Sequence, residues 1–201
     1  MESLNRIISR IRLYIKITHI GELARRYFVQ NGMDGSMTAL GIILGSWAAK
    51  VKEPYVIVMA GLGACLAMGV SGFFGAYITE KAERRRIIKD LEESILSDLD
   101  DSLQQSASEF AQAFAALICG LSPALTAMIS LTPFIISMLG GLSIWSSYVI
   151  STILAFGELF ALGLFLGHVA REKMIMYGLQ MVVAGMIIVF ILLAVGGYGA
   201  V

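Results

Sequence analysis

Long uninterrupted apolar runs are the feature that most constrains how this chain folds. The sequence is 57% hydrophobic and only 15% charged, with a mean hydropathy of +0.78. A soluble domain of 201 residues would leave much of this surface in water, whereas about 20 apolar residues cross the bilayer core as a helix. We therefore predict an all-α integral membrane protein with five transmembrane helices, near residues 31–50, 55–79, 111–136, 146–168 and 177–198.

Basic residues are distributed asymmetrically over the segments outside these spans. Six of the 15 Lys and Arg residues precede span one, five follow span two and two follow span four, and only Lys50 and Lys52 lie in the alternate segments. Because cytoplasmic segments of membrane proteins carry the excess of Lys and Arg, we predict a cytoplasmic N-terminus and a C-terminus outside. With no targeting signal evident, a prokaryotic plasma membrane is the expected location.

Composition divides the chain into four segments. Residues 1–30 place apolar side chains at helical spacing between arginines, which predicts a basic amphipathic helix on an anionic membrane surface. A cytosolic helix packed on the rest of the protein is the alternative. Residues 31–79 hold transmembrane helices one and two, 80–110 form a cytoplasmic helical segment rich in acids and bases, and 111–198 hold transmembrane helices three to five.

An acid lies near the start of the first span, in the stretch "NGMDGSMTALGIILG". Asp34 fits an N-cap, in which the carboxylate accepts the first free amides of a helix. Met33 and Met37 flank it, however, and Met37 lies one turn further along the same face. A carboxylate with thioethers nearby suits a borderline-soft divalent ion. The residues alone leave both interpretations open.

A second acid, Glu158, lies near the middle of span four in "ILAFGELFALG". An acid at a helix centre costs about 2.5–3.5 kcal/mol on insertion scales, so it usually faces a cavity or a partner. Glu158 is therefore a candidate for proton coupling or cation binding. The alternative is a protonated carboxyl group that is hydrogen-bonded to a neighbouring helix.

The polar segment after span two carries several acids at helical spacing. Glu80, Glu83, Asp90 and Glu93 fall roughly on one face, and carboxylates one turn apart can share a divalent cation. A solvated charged face is the alternative explanation.

The sequence shows no features of an enzyme or of a prosthetic-group site. Cys65 and Cys119 lie inside apolar runs, His19 and His168 are isolated, and no nucleophile has a base nearby. We expect no catalytic residues, no prosthetic cofactor and no nucleic-acid partner. The expected partners are divalent metal ions and the lipid bilayer.

Taken in order, several motifs resemble the vacuolar iron transporter family, which includes iron–manganese transporters of plants and fungi. "NGMDGSMTALGIILG" is similar to the family's Asp-Gly opening of span one, and "FGAYITEKAE" to the end of its span two. "LTPFII" resembles its proline-rich exit from span three, and "FALGLFLG" and "YGLQMVVAGMIIVFILLAVGG" its final pair. The resemblance covers roughly residues 30 to 198.

This resemblance implies a five-helix homodimer with an ion path along the dimer interface. Its activity would be export of cytosolic Fe²⁺ or Mn²⁺, coupled to inward proton movement. Asp34 matches the family's transport aspartate, and Glu80 and Glu83 match its first pair of cytoplasmic acids. With Met37, Asp90 and Glu93 added from the sequence pattern, these residues form the predicted metal-ligand set, and Glu158 is the predicted proton carrier.

The chain also departs from the family pattern. The positions of a methionine and a glutamate that precede the tyrosine in span two are Gly72 and Ala76 here, with Met68 one turn before Gly72. The cytoplasmic metal-binding region, a helical bundle in the family, is shortened to about 30 residues. A membrane scaffold or binding protein derived from the same family, without transport, is therefore the alternative function.

Overall fold

Five α-helices make up the part of the chain that the structure describes. In the computed structural model this part comprises residues 13, 14, 18, 20–95 and 103–198, and all its regular elements are helices. The helices are α1 (Ile20–Ala48), α2 (Pro54–Ile95), α3 (Leu103–Met138), α4 (Ile144–Ala170) and α5 (Met174–Tyr198). The all-α prediction is confirmed for these residues. Most of the predicted amphipathic helix over 1–30 lies outside them.

Four of these helices are long and apolar enough to cross a membrane, namely α2, α3, α4 and α5. They indicate a multi-pass membrane protein. The expected first span at 31–50 is not among them, although α1 covers most of it. The physical reason is composition: from residue 31 onwards α1 contains Asn31 and Asp34 together with several Gly, Ser and Thr residues.

Two helices are longer than a bilayer requires. The 42 residues of α2 span about 63 Å at ~1.5 Å per residue, roughly twice the ~30 Å hydrocarbon core. The 36 residues of α3 span about 54 Å. Helical structure therefore continues from the apolar part of α2 through the charged residues to Ile95, without a break where span two was expected to end.

The turns between the helices have clear local causes. Lys50 adopts a left-handed φ of 56° after α1, and Gly140 has a φ of +81° after α3. Ser143 caps α4, because its hydroxyl accepts a hydrogen bond of 3.1 Å from the Ser146 N–H. At the other end of α4, Arg171 has left-handed backbone angles and its N–H bonds back to Gly167 and His168.

The chain forms two compact units. The first comprises Met1–Phe28 and Val70–Gly120. In its described part, Ile20 packs against Ala111 and Ala115 of α3, and Leu23, Tyr27 and Phe114 surround this contact. Alanines on α3 allow the two helix backbones to approach closely here.

The second unit comprises Val29–Gly69 and Leu121–Val201. Its core is formed by apolar side chains of α1 to α4, including Ile43, Ile57, Leu131 and Phe134, all at most 1% exposed. Tyr148 of α4 packs edge-on against Phe134, with ring centroids 5.0 Å apart, and donates its hydroxyl to the Val51 carbonyl. This bond fixes the turn between α1 and α2 to α4.

Glycines allow α4 and α5 to pack as a close antiparallel pair. A Cβ added at Gly163 would lie 2.5 Å from the Cα of Gly178, and one at Gly167 would lie 2.5 Å from the Cα of Met174. Small residues three or four apart let helix backbones touch in a membrane, where packing rather than hydrophobicity drives association. The sequence pattern at Gly163 and Gly167 predicts this contact.

We expect Gly163→Ala to destabilise the fold by about 1–3 kcal/mol, because its methyl group meets the backbone of α5. Gly157→Ala is the matched control, since nothing lies within 4 Å of a Cβ at Gly157 on the same helix. Thermal unfolding in detergent should show a lower Tm for Gly163→Ala and an equal or higher Tm for the control, as alanine favours helix. Equal losses in both variants would contradict the close contact.

Candidate functional site

The Glu158 carboxyl group is the meeting point of polar side chains from three helices of the second unit. Its Oε2 accepts a hydrogen bond of 2.8 Å from Ser36 Oγ on α1 and one of 2.9 Å from Ser130 Oγ on α3. Both serines are fully buried. Hydrogen bonds from neighbouring helices are what the alternative interpretation of Glu158 expects, and its role in proton coupling stays a prediction.

The second oxygen of Glu158 has no protein partner in the described part of the chain. Its Oε1 is buried and accepts no hydrogen bond, and Ser151 Oγ, earlier on the same helix, is likewise buried without a partner. A bare carboxylate oxygen in an apolar interior costs several kcal/mol unless a proton or a cation neutralises it. The site therefore has the chemistry to hold a small positive charge.

Asp34 lies in the interior of a helix. Helix α1 begins at Ile20, about four turns before Asp34, so the N-cap interpretation is wrong. Residues 20–30, expected outside the first span, belong to the same helix. The Asp34 side chain is exposed, while Gly32, Gly35 and Ser36 are buried on the packed side of α1.

Close packing fixes α1 on both sides of Asp34. Thr126 of α3 donates its hydroxyl to the Gly32 carbonyl at 2.9 Å. A Cβ at Gly35 would collide with the Pro123 carbonyl and the Thr126 hydroxyl. The exposed carboxylate is thus presented from a well-anchored segment. Met33 and Met37 are partly buried beside it.

Glu80 of the first unit is already engaged by two neighbours. Its Oε1 accepts a hydrogen bond of 2.7 Å from the Tyr27 hydroxyl, and its Oε2 accepts one of 3.1 Å from Arg84 Nε. The side chains of Glu80 and Arg84 are only 11% and 13% exposed. The Arg26 guanidinium lies 5.5 Å from the centre of the Tyr27 ring. A metal ion that binds Glu80 must compete with these contacts.

The remaining predicted ligands are not gathered into one site. Glu83, Asp90 and Glu93 are exposed on α2. Across residues 20–95 and 103–198, no three His, Cys, Asp or Glu side chains converge as a metal site would require. A complete ligand set would need donors beyond those acids in a single copy of the described chain.

Gly72, the expected position of a family ligand, has no room for a side chain. A Cβ there would lie 2.5 Å from the Cys119 carbonyl oxygen of α3, within the first unit. The glycine is therefore explained by the close approach of α2 and α3. A methionine at this position would force the two helices apart.

We expect Gly72→Met to lower stability by about 1–3 kcal/mol and not to improve metal binding, because the added side chain overpacks the α2–α3 contact. Gly75→Met provides the control, since a Cβ at Gly75 meets nothing within 4 Å. Tm and Mn²⁺ affinity should be measured on both variants. Tighter metal binding by Gly72→Met at unchanged Tm would show that the position can serve as a ligand site.

Sequence reasoning missed the partners of the acids. Ser36 and Ser130 looked like ordinary small residues of apolar helices, and no spacing rule joins them to Glu158. Tyr27 lies 53 positions before Glu80, too far for any local signal. The Arg84–Glu80 pair is separated by four residues, and this spacing is a recognisable sign of a helical ion pair.

Comparison with known proteins gives this arrangement a family. Residues 25–114 match the VIT family. An uncharacterised protein of Methanocaldococcus jannaschii is 34% identical over 177 residues, which cover 86% of this chain and 87% of that protein. The chain belongs to the VIT family. No solved structure matches.

Membership confirms the resemblance that the sequence motifs indicated. The vacuolar iron transporter, or VIT, family consists generally of metal-ion transporters. The matched residues 25–114 include Asp34, Glu80, Glu83, Asp90 and Glu93, whereas Glu158 lies outside them. The family assignment is consistent with a transport protein rather than an enzyme.

Proposed function

We propose that this VIT-family protein exports Fe²⁺ or Mn²⁺ from the cytosol in exchange for protons. The observation that carries the proposal is the pair of acids in the second unit. Within its helices, Asp34 and Glu158 are the only carboxylic acids. Asp34 is exposed, whereas Glu158 is partly buried and accepts hydrogen bonds from two serine hydroxyls. Acids within membrane helices mark ion or proton paths.

Asp34 is the proposed metal ligand in the membrane. Its carboxylate supplies an oxygen donor and Met37, one turn away, supplies a thioether, a combination suited to a borderline divalent ion. An exposed carboxylate on a membrane helix needs a partner. A homodimer in which each copy presents Asp34 to the other would provide one and would add the second copy's ligands.

Glu158 is the proposed proton carrier. The bare Oε1 provides a place for the proton, and the hydroxyls of Ser36 and Ser130 hold the group when it is ionised. Release of that proton leaves a negative charge in the unit that contains Asp34. Exchange of a proton for a cation then keeps the charge of the unit closer to constant.

The acids of α2 are the proposed cytoplasmic collectors of the ion. Glu83, Asp90 and Glu93 are exposed and attract divalent cations to this helix. Glu80 would join them after release from Arg84. This assignment goes with the orientation proposed from the Lys and Arg distribution, with the N-terminus in the cytoplasm and the C-terminus outside, in a prokaryotic plasma membrane. α1 would then be the fifth span.

A non-transporting scaffold is the second candidate. It is favoured by the missing side chain at Gly72, by the engagement of Glu80 with Tyr27 and Arg84, and by the absence of a three-acid cluster in the described chain. Such a protein would keep the fold while binding no ion in the membrane.

We expect proteoliposomes with an imposed pH gradient to take up Mn²⁺ or Fe²⁺ through the wild-type protein, and Asp34→Ala to reduce this flux at least tenfold, because the ligand is lost. Glu53→Gln is the control, an exposed acid in the turn before α2. The flux of Glu53→Gln should equal that of wild type. If folded wild type moves neither ion above empty liposomes, the scaffold function replaces the exporter.

Arg84→Gln should raise the apparent Mn²⁺ affinity severalfold, because it frees the Glu80 Oε2 that now accepts a hydrogen bond from Arg84 Nε. Arg85→Gln is matched in charge change, and its side chain is exposed on the same helix. Mn²⁺ binding to both variants, measured at two salt concentrations, separates a local effect from the loss of one positive charge. Equal gains in both would assign the effect to net charge.

A further inference from the structure

A single side chain joins the helix that carries the exposed Asp34 to Glu158. Ser36 lies two positions after Asp34 on α1 and is 0% exposed. Its hydroxyl donates a hydrogen bond of 2.8 Å to Glu158 Oε2. Asp34 is on the exposed side of the same turn. The two acids therefore face away from each other, yet one hydrogen bond connects the α1 backbone near Asp34 to Glu158.

The strength of that bond depends on the charge of Glu158. A hydroxyl that donates to an ionised carboxylate makes a shorter bond, roughly twice as strong as one to a neutral group. Both serine hydroxyls share Oε2 while Oε1 has no partner. Protonation of the group therefore weakens the hold of α4 on α1 and on α3 together.

The surrounding packing holds α1 closely against α3 on both sides of Asp34. Gly35 touches the backbone of α3, and the Gly32 carbonyl accepts the Thr126 hydroxyl. Because α1 is a continuous helix here, a change in the bond at Ser36 would be transmitted to the turn that carries Asp34. Packed interfaces tend to switch between discrete arrangements rather than deform smoothly.

We propose that Ser36 is the positioning residue through which the protonation of Glu158 controls metal binding at Asp34. The inference rests on the proposed exporter function and names the residue that couples its two sites. Ser130 makes the equivalent bond from α3, a helix that carries no acid between Leu121 and Met138. It therefore serves as an internal control of equal chemistry.

Other titratable groups of the second unit are placed differently. On α2, Cys65 is buried in the core with its Sγ 3.9 Å from the Ala124 carbonyl, and on α4 the Tyr148 hydroxyl is bonded to Val51. His168 lies in the last turn of α4. Between Met174 and Ala194, α5 has no Asp, Glu, Lys, Arg or His, and its one titratable side chain, Tyr177, donates to Glu172. Hydroxyls from α1 and α3 are thus the groups that face Glu158.

The test is a double-mutant cycle on Mn²⁺ affinity in the purified full-length protein. Glu158→Gln keeps the shape of the side chain but fixes it neutral. In wild type we expect this change to alter the Mn²⁺ Kd at least about fivefold, the lower range of coupling between sites. Free Mn²⁺ is measured by electron paramagnetic resonance, and only binding that is lost in Asp34→Ala is counted.

In the Ser36→Ala background, Glu158→Gln should no longer change the Kd, whereas in the Ser130→Ala background the fivefold effect should persist. Protons released per Mn²⁺ bound, read from a pH-sensitive dye, should fall further in Ser36→Ala than in Ser130→Ala, because both serines stabilise ionised Glu158 but only Ser36 lies on the helix of Asp34. Ser36→Cys keeps the size and a weak donor. It should retain part of the effect, and it replaces Ser36→Ala if that variant does not fold.

The proposal is overturned if the two alanine variants affect the cycle equally, or if neither does. When wild type nevertheless binds and transports Mn²⁺, such a result removes only the role of Ser36 and leaves the exporter function standing. A wild type with no Asp34-dependent Mn²⁺ binding and no flux removes both.

Discussion

The placement of one carboxyl group among apolar helices is the constraint that organises the second unit. The Oε1 of Glu158 is buried without a protein partner, and the fold brings hydroxyl donors to Oε2 from α1 and α3. These donors require the two helices to approach α4 at fixed heights. Small residues along α1 and α4 permit that approach, whereas a core of large aliphatic side chains alone would leave the register weakly specified.

Helix α1 combines two environments that the other apolar helices do not. One face is packed through Gly32, Gly35 and Ser36, and the other exposes Asp34. This mixture explains why α1, unlike α2 to α5, contains no stretch apolar enough to count as a candidate membrane span. In a membrane, a helix with an exposed acid is stable only if something covers the acid. As the proposed fifth span, α1 would therefore depend on a partner at this face, either an ion or another copy.

Helices were predictable from sequence because long apolar runs require them in a bilayer. The bounds of the helices were harder to predict. Charged residues indicated that the first span begins near residue 31 and that the second ends near residue 79, yet α1 begins at Ile20 and α2 continues to Ile95. A helix satisfies its own backbone hydrogen bonds, so it can continue from the bilayer into water, whereas its side-chain composition changes at that boundary. Rare acids identified Asp34 and Glu158 as candidates. Their serine partners could not be predicted, because the sequence does not distinguish a serine that donates a hydrogen bond to an acid from one that only packs between helices.

The close contact at Gly72 bears on which ion the protein would prefer. A thioether cannot be added there without separating α2 from α3, so the proposed ligand set has Met37 as its one sulfur donor among carboxylates. Carboxylate oxygens suit Mn²⁺, and thioethers favour softer ions. A ligand set with fewer sulfur donors therefore weakens any preference for Fe²⁺ over Mn²⁺. The tight helix packing that excludes the family ligand thus shifts the proposed selectivity towards the harder ion.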